Sequence, residues 1–141
     1  MLFLVSTTAF ILSLVGKILA DGFLTSHVPI LGSFLGLRHV ENPGVAFSVR
    51  LPGQWQTVLI GVAFVLILWA SLYAKTRWSR VAFGMILGGA AGNIVDRLRD
   101  GMVTDYFQVG TFPVFNVADS LITVGAALLV LEAVLRRWRR P

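Results

Sequence analysis

The chain has 141 residues, of which 56% are hydrophobic and 13% are charged, and its mean hydropathy is +0.79. Soluble domains carry about 25% charged residues, so this composition predicts a membrane protein with a single domain, residues 1–141. The absence of cysteine excludes disulfides, a cysteine nucleophile and cysteine-based metal sites. The net charge of +5 belongs to basic residues beside apolar runs, which favours membrane lipids over nucleic acid as a partner.

Four apolar runs predict transmembrane helices, because a bilayer core of about 30 Å takes about 20 helical residues. The first run resembles a cleaved signal peptide in length, but it lacks a basic start, and Lys17 precedes the candidate cleavage site at Ala20. We therefore predict an all-α membrane protein with four transmembrane helices. Their predicted ranges are residues 2–20, 57–74, 80–97 and 117–135.

The predicted outer segment, residues 21–56, has the alternation of a strand. Asn42-Pro43-Gly44 forms a turn signal in its middle. The pattern predicts a small β element on the outer face of the membrane. The alternating apolar residues are Leu35, Leu37, Val45, Phe47 and Val49.

The basic residues predict the orientation of the helices. One cluster lies at residues 75–80, between the second and third runs, and another lies at residues 136–140. By the positive-inside rule both belong in the cytoplasm, together with the N-terminus. The outer segment and residues 98–115 then face the outside.

Helix packing is predicted from glycines in the third run. Gly84, Gly88 and Gly92 are spaced four apart, a pattern that lets a second helix approach closely. This helix carries Asn93, Asp96 and Arg97 at its outer end. Because those three residues stand at i, i+3 and i+4, they share one helical face, either as a solvated helix end or as part of a site.

Two further aspartates follow at the same membrane edge. Asp105 lies on a short extended stretch, and Asp119 lies in the first turn of the fourth helix, with Asn116 as its N-cap. Carboxylates near hydrocarbon cost roughly 2.5–3.5 kcal/mol each, so they indicate a functional site. Two carboxylates held together share one proton, which is the chemistry of an aspartic protease. Two unrelated membrane-edge aspartates are the alternative.

Four motifs together resemble the signal peptidase II family, the lipoprotein signal peptidases of bacteria. They occur in the family's order and span essentially the whole chain. The resemblance implies an aspartic endopeptidase of the cytoplasmic membrane that needs no metal or organic cofactor. The motifs are residues Glu41–Ser48, Gly92–Arg97, Val103–Tyr106 and Phe115–Asp119.

The same resemblance implies the site and the partners. Asp105 and Asp119 correspond to the catalytic pair, which cleaves a prolipoprotein before its diacylglyceryl-modified cysteine. We expect a monomer whose active site lies at the outer face. We also expect globomycin-type cyclic peptides to inhibit it. The positions that support the site or bind its ligands are Asn42, Gly44, Asn93, Asp96, Arg97 and Asn116.

Helix one departs from the family pattern, Asp-x-x-Ser/Thr-Lys. Ser13 replaces the acidic residue and Gly16 replaces the hydroxyl residue, whereas Lys17 is kept. Ser13 and Lys17, at i and i+4, raise a rival Ser-Lys nucleophile and base, although a lysine near a helix end typically extends to the interface. A second rival is a small transporter, which would need its carboxylates spread across the bilayer.

Overall fold

The computed structural model describes residues 1–44 and 55–138. Within these ranges the molecule is mostly helical, with a small three-stranded sheet. The sequence prediction of Val45, Phe47 and Val49 as strand residues lies outside the described residues. The elements are α1 (Leu2–Phe23), β1 (Val28–Leu31), β2 (Leu35–Asn42), α2 (Trp55–Ser71), α3 (Arg77–Asp100), β3 (Val103–Val109) and α4 (Val117–Trp138).

Among the described residues, three helices are long and apolar enough to cross a membrane, namely α1, α3 and α4. Each extends by at least three residues beyond the predicted range at one or both ends. The described helix α2 is shorter, with 17 residues, and ends at Ser71 rather than at the predicted residue 74. Its first residue, Trp55, and Trp138 at the end of α4 are 69% and 83% exposed, as suits side chains at a membrane interface.

Helix α3 lies between α1 and α4, and glycines set its distance from both. A Cβ atom at Gly88 would overlap the Ser6 carbonyl oxygen of α1. A Cβ atom at Gly89, one residue further along, would lie 2.6 Å from the Ala118 carbonyl oxygen of α4. The close packing predicted from the glycine spacing is therefore confirmed, and it fixes α3 between α1 and α4.

The sheet has the strand order β1-β2-β3, and both pairs are antiparallel. The sequence prediction of a β element is confirmed for β2, but its partners are β1 and β3. The register of β2 and β3 shifts between Leu37, opposite Phe107, and Val40, opposite Asp105. A bulge of this kind leaves an extra residue unpaired and re-aims nearby side chains.

Candidate active site

Asp105 lies on β3 with its side chain turned inward, and only 2% of the residue is exposed. One carboxylate oxygen accepts a hydrogen bond of 2.6 Å from Asn116 Nδ2, and the other accepts one of 2.9 Å from Asn42 Nδ2. Burial, reinforced by the negative charge of Asp119, raises the pKa of Asp105 to about 6, although both amides oppose the shift. Asp105 therefore holds a proton more readily than an ordinary aspartate.

Asp119 is fixed at the start of α4 by a reciprocal cap. Asn116 Oδ1 accepts a hydrogen bond of 3.0 Å from the Asp119 backbone N–H, and Asp119 Oδ2 accepts one of 3.2 Å from the Asn116 N–H. The predicted N-cap is thus confirmed. Asn93 Nδ2 donates to the other carboxylate oxygen at 2.8 Å. Both carboxylate oxygens of Asp119 therefore accept hydrogen bonds at the N-terminus of α4.

Asn116 joins the two carboxyl groups. Its side-chain amide donates to Asp105, while its backbone N–H donates to Asp119. Asn116 is fully buried, and its Nδ2 also lies 3.3 Å from Asn93 Oδ1 and from the Thr104 carbonyl oxygen. One rigid residue consequently orients both aspartates at once.

Asp105 and Asp119 line the same cavity, which has a volume of about 660 Å³. The polar residues of its wall are these two aspartates with Asn42, Asn93, Arg97, Ser120 and Thr123. The rest of the wall is largely apolar and includes residues of α2, α3, α4 and the segment that precedes α4. The apolar lining residues include Ile60, Ala90, Phe112, Val114, Phe115 and Ile122.

Asp96 points away from this cavity, although it shares a helical face with Asn93 in the sequence. Its carboxylate forms an ion pair of 2.7 Å with Lys17 Nζ and accepts a hydrogen bond of 3.1 Å from the Thr104 N–H. Lys17 also donates to Asn93 Oδ1 at 2.7 Å and to the Gly92 carbonyl oxygen at 3.1 Å. Asp96 thus holds α1 and β3 against the C-terminal end of α3.

Arg97 connects α3 to the turn that follows β2. Its Nη2 donates to the Gly44 carbonyl oxygen at 2.7 Å, and its Nη1 donates to the Asn93 carbonyl oxygen at 3.3 Å. Asn42 Oδ1 accepts a hydrogen bond of 2.9 Å from the Gly44 N–H, which closes the turn predicted at these residues. Asn42, which donates to Asp105, is therefore held in place by its bond to Gly44, and Gly44 is held by Arg97.

Lys17 corrects one sequence interpretation. It does not extend to the interface, because only 2% of it is exposed and its ammonium group contacts Asp96. Ser13 Oγ is buried against Gly92 and has no hydrogen-bond partner among the described residues. A base must lie within hydrogen-bond reach of its nucleophile, so the geometry disfavours the Ser-Lys rival. No local spacing in the sequence indicates the Lys17–Asp96 pair.

Gly16 leaves room for a hydroxyl group from another element. A Cβ atom at Gly16 would overlap the hydroxyl of Tyr106, a buried residue of β3. That hydroxyl accepts a long hydrogen bond of 3.4 Å from the Val117 N–H at the start of α4. The departure from the family pattern at residue 16 thus coincides with a tyrosine side chain packed against helix one.

Metal ligands do not cluster in the parts of the chain that the structure describes: no group of three or more His, Asp and Glu residues there could hold an ion. The polar centre described above consists of two carboxyl groups surrounded by amide donors. That set matches general acid–base chemistry.

Comparison with known proteins supports an assignment to a family. The family model for signal peptidase (SPase) II matches residues 5–135. The chain belongs to the signal peptidase II family. It is thus a peptidase of the aspartic type, and its apolar helices are those of a multi-pass bacterial membrane protein.

Members of the family and solved structures resemble the chain over most of its length. The lipoprotein signal peptidase of Halothermothrix orenii is 40% identical over 111 residues, covering 77% of this chain and 76% of that protein. The lipoprotein signal peptidase of Mycobacterium avium is 41% identical over 140 residues, with 92% and 76% covered.

Two solved structures, both of a bacterial membrane enzyme determined by the in meso method, share the fold. The one at 2.3 Å resolution has a TM-score of 0.82 and 25% identity, covering 98% of this chain and 89% of that one. The one at 1.9 Å resolution has a TM-score of 0.77 and 26% identity, with 94% and 91% covered. The arrangement of helices and sheet is therefore that of known membrane enzymes.

Proposed function

We propose that this protein removes the signal peptide from prolipoproteins by cleaving the bond before a diacylglyceryl-modified cysteine. The observation that carries the proposal is the pair of carboxyl groups of buried Asp105 and half-buried Asp119, which line one largely apolar cavity and are joined by Asn116. Lipoprotein signal peptidases at about 40% identity support this choice of substrate. Membrane lipids surround the enzyme and present the lipidated substrate to it.

The two aspartates have different roles in the proposed reaction. Ionised Asp119 accepts a proton from a water molecule whose oxygen attacks the scissile carbonyl carbon, while protonated Asp105 donates its proton to the carbonyl oxygen. The product of this step is a neutral gem-diol. The raised pKa of Asp105 supports its role as the acid, and the position of Asp119 in the wall of the same cavity supports its role as the partner of Asp105.

Collapse of the gem-diol completes the cycle. One hydroxyl returns its proton to Asp105 as the carbonyl re-forms, the C–N bond breaks, and Asp119 gives its proton to the departing cysteine nitrogen. The signal peptide leaves with a carboxyl group, and both aspartates regain their starting states. No metal or organic cofactor takes part in these steps.

The supporting residues hold the pair in this geometry. Asn42 and Asn116 donate to the two oxygens of Asp105, and Asn93 donates to Asp119. Arg97 fixes the turn at Gly44, next to the outer segment that we expect to close over the peptide. Asp96 supports the pair indirectly, through its ion pair with Lys17 and the hydrogen bond that it accepts from Thr104.

The proposed enzyme is a monomer of one domain in the bacterial cytoplasmic membrane. It has four spans, with α2 as the second, and its active site lies at the outer face. We also propose that globomycin-type cyclic peptides inhibit it by occupying the cavity that contains Asp105 and Asp119. These features follow the family resemblance and the distribution of basic residues.

Reporter fusions test this topology. Reporters fused after Lys75 and after Pro141 are expected to lie in the cytoplasm, and one inserted near Gly53 is expected to lie outside. The reason is the bias of Lys and Arg in residues 75–80 and 136–140. An external reporter at Pro141 would contradict the four-span arrangement and place both aspartates on the wrong side.

Cleavage by the purified protein tests the function itself. The protein in detergent is incubated with a diacylglyceryl-modified precursor, and mass spectrometry identifies the products. We expect a free peptide carboxylate and a lipidated cysteine with a free amino group, and inhibition by a globomycin-type peptide. Cleavage at another bond, or none, would contradict the proposal.

A further inference from the structure

Asp21 lies at the outer end of α1, outside the cavity that Asp105 and Asp119 line. One of its carboxylate oxygens accepts a hydrogen bond of 2.9 Å from Thr104 Oγ1 and one of 3.0 Å from His39 Nε2. A single carboxylate on α1 is therefore bonded to both strands of the β2–β3 pair.

Thr104 has three links to the proposed active site. It directly precedes Asp105 in β3, its backbone N–H donates to Asp96, and its carbonyl oxygen accepts a hydrogen bond from Asn116. Side chains alternate between the faces of a strand, so the Thr104 hydroxyl is directed to Asp21 while the Asp105 carboxyl faces the cavity. The bond to Asp21 thus restrains the strand from the side opposite to the cavity.

The position of this restraint coincides with the irregularity in the sheet. The register shift lies between Leu37 and Val40 of β2, and Val40 is opposite Asp105. His39 lies within the shifted stretch and bonds to Asp21. A bulge interrupts the ladder of backbone hydrogen bonds, so the backbone holds Asp105 less firmly here than a regular strand would. Asp21 bonds to the two strands at that point.

We propose that Asp21 and Thr104 are positioning residues, which fix β3 across the bulge so that the carboxyl group of Asp105 meets Asp119 in reactive geometry. This inference rests on the proposed peptidase function. Neither residue lines the cavity that contains Asp105 and Asp119, so their removal should slow the chemical step without weakening binding. Rates in such sites are sensitive to misplacement on the scale of 1 Å.

Variants of Thr104 separate positioning from packing. Thr104→Val removes the hydroxyl and keeps the shape, whereas Thr104→Ser keeps the hydroxyl. With the lipidated precursor, we expect Thr104→Val to lower kcat by about 10-fold with KM within about 2-fold and with an unchanged melting temperature. Thr104→Ser should retain the wild-type kcat.

Asp21→Ala should lower kcat at least as much as Thr104→Val does, because it removes the bond to His39 as well as the bond to Thr104. The double variant should lose no more than Asp21→Ala alone, because the bond to Thr104 is then already absent. Arg99→Gln is the matched control. Arg99 is 70% exposed and its nearest nitrogen lies 3.6 Å from Asp21, so we expect unchanged kinetics.

Four results would overturn the positioning role while leaving the peptidase function intact. Two concern Thr104→Val: an unchanged kcat, or an effect on KM alone. The other two are losses of kcat that add in the double variant, and a loss of kcat in Thr104→Ser equal to that in Thr104→Val. If Thr104→Val melts at a lower temperature, kcat is measured for its folded fraction. A wild-type kcat in that fraction would also contradict the positioning role. Absence of cleavage by the wild-type protein would instead overturn the proposed function and this role with it.

Discussion

Replacing Asp105 or Asp119 by asparagine is expected to lower kcat by about 10⁴-fold in each case, because the pair then loses the proton transfers on which it depends. An asparagine at residue 119 cannot accept the proton of the attacking water. An asparagine at residue 105 cannot donate a proton to the carbonyl oxygen and recover it. Single-turnover cleavage of the lipidated precursor measures the effect.

The asparagine at residue 105 also meets two amide donors. Asn42 and Asn116 each donate to one oxygen of Asp105, so one of them would face an N–H₂ group instead of an acceptor. Membrane insertion and the melting temperature should therefore be measured for each variant. Asp100→Asn is the matched control, because Asp100 lies at the exposed end of α3 and does not line the cavity. Wild-type-like turnover in either variant would contradict the mechanism.

Ser13→Ala separates this mechanism from the Ser-Lys rival. Ser13 Oγ has no hydrogen-bond partner in the described residues, and Lys17 is paired with Asp96. We therefore expect Ser13→Ala to cleave at the wild-type rate. Loss of cleavage by a folded Ser13→Ala protein would favour a serine nucleophile.

A precursor with an unmodified cysteine is expected to be cleaved at least about 100-fold more slowly than its diacylglyceryl form. Acyl chains gain about 0.8 kcal/mol per buried methylene, but the membrane already supplies this to the free substrate. The lipid should thus act by placing the scissile bond at the depth of Asp105 and Asp119. The substrate then searches for the active site within the plane of the membrane instead of in three dimensions.

The comparison requires both precursors in the same membrane preparation, with kcat/KM measured for each. A precursor with a single acyl chain on the cysteine serves as an intermediate control, since it has a weaker anchor. Equal kcat/KM values for the modified and unmodified forms would contradict lipid-dependent placement. They would indicate a general membrane aspartic protease instead.

The sequence predicts those parts of the fold that depend on local periodicity. The apolar runs predict the membrane helices, the glycine spacing in α3 predicts close packing, and Asn116 is recognisable as the N-cap of α4. Strand β1 could not be found in this way, because it has only four residues and contains Pro29, which argues against a strand.

The contacts that complete the site join residues far apart in the chain. Lys17 meets Asp96, and Asp21 meets Thr104, 83 residues later. No local spacing encodes such pairs, so composition and periodicity cannot predict them. Family resemblance predicts which aspartates act as the pair, but it does not predict the contact between helix one and β3 that Asp21 makes with Thr104.

The pH dependence of kcat/KM tests most directly whether Asp105 and Asp119 act as a pair that shares one proton. Burial raises the pKa of Asp105 to about 6, and the hydrogen bond from Asn42 opposes this shift by stabilising the carboxylate. The rate should therefore fall as the pH rises through this pKa, because ionised Asp105 has no proton to donate. Asn42→Leu removes the opposing bond and should move the fall to higher pH. A rate that is flat from about pH 5 to 8, or a fall that Asn42→Leu leaves in place or moves to lower pH, would contradict the account.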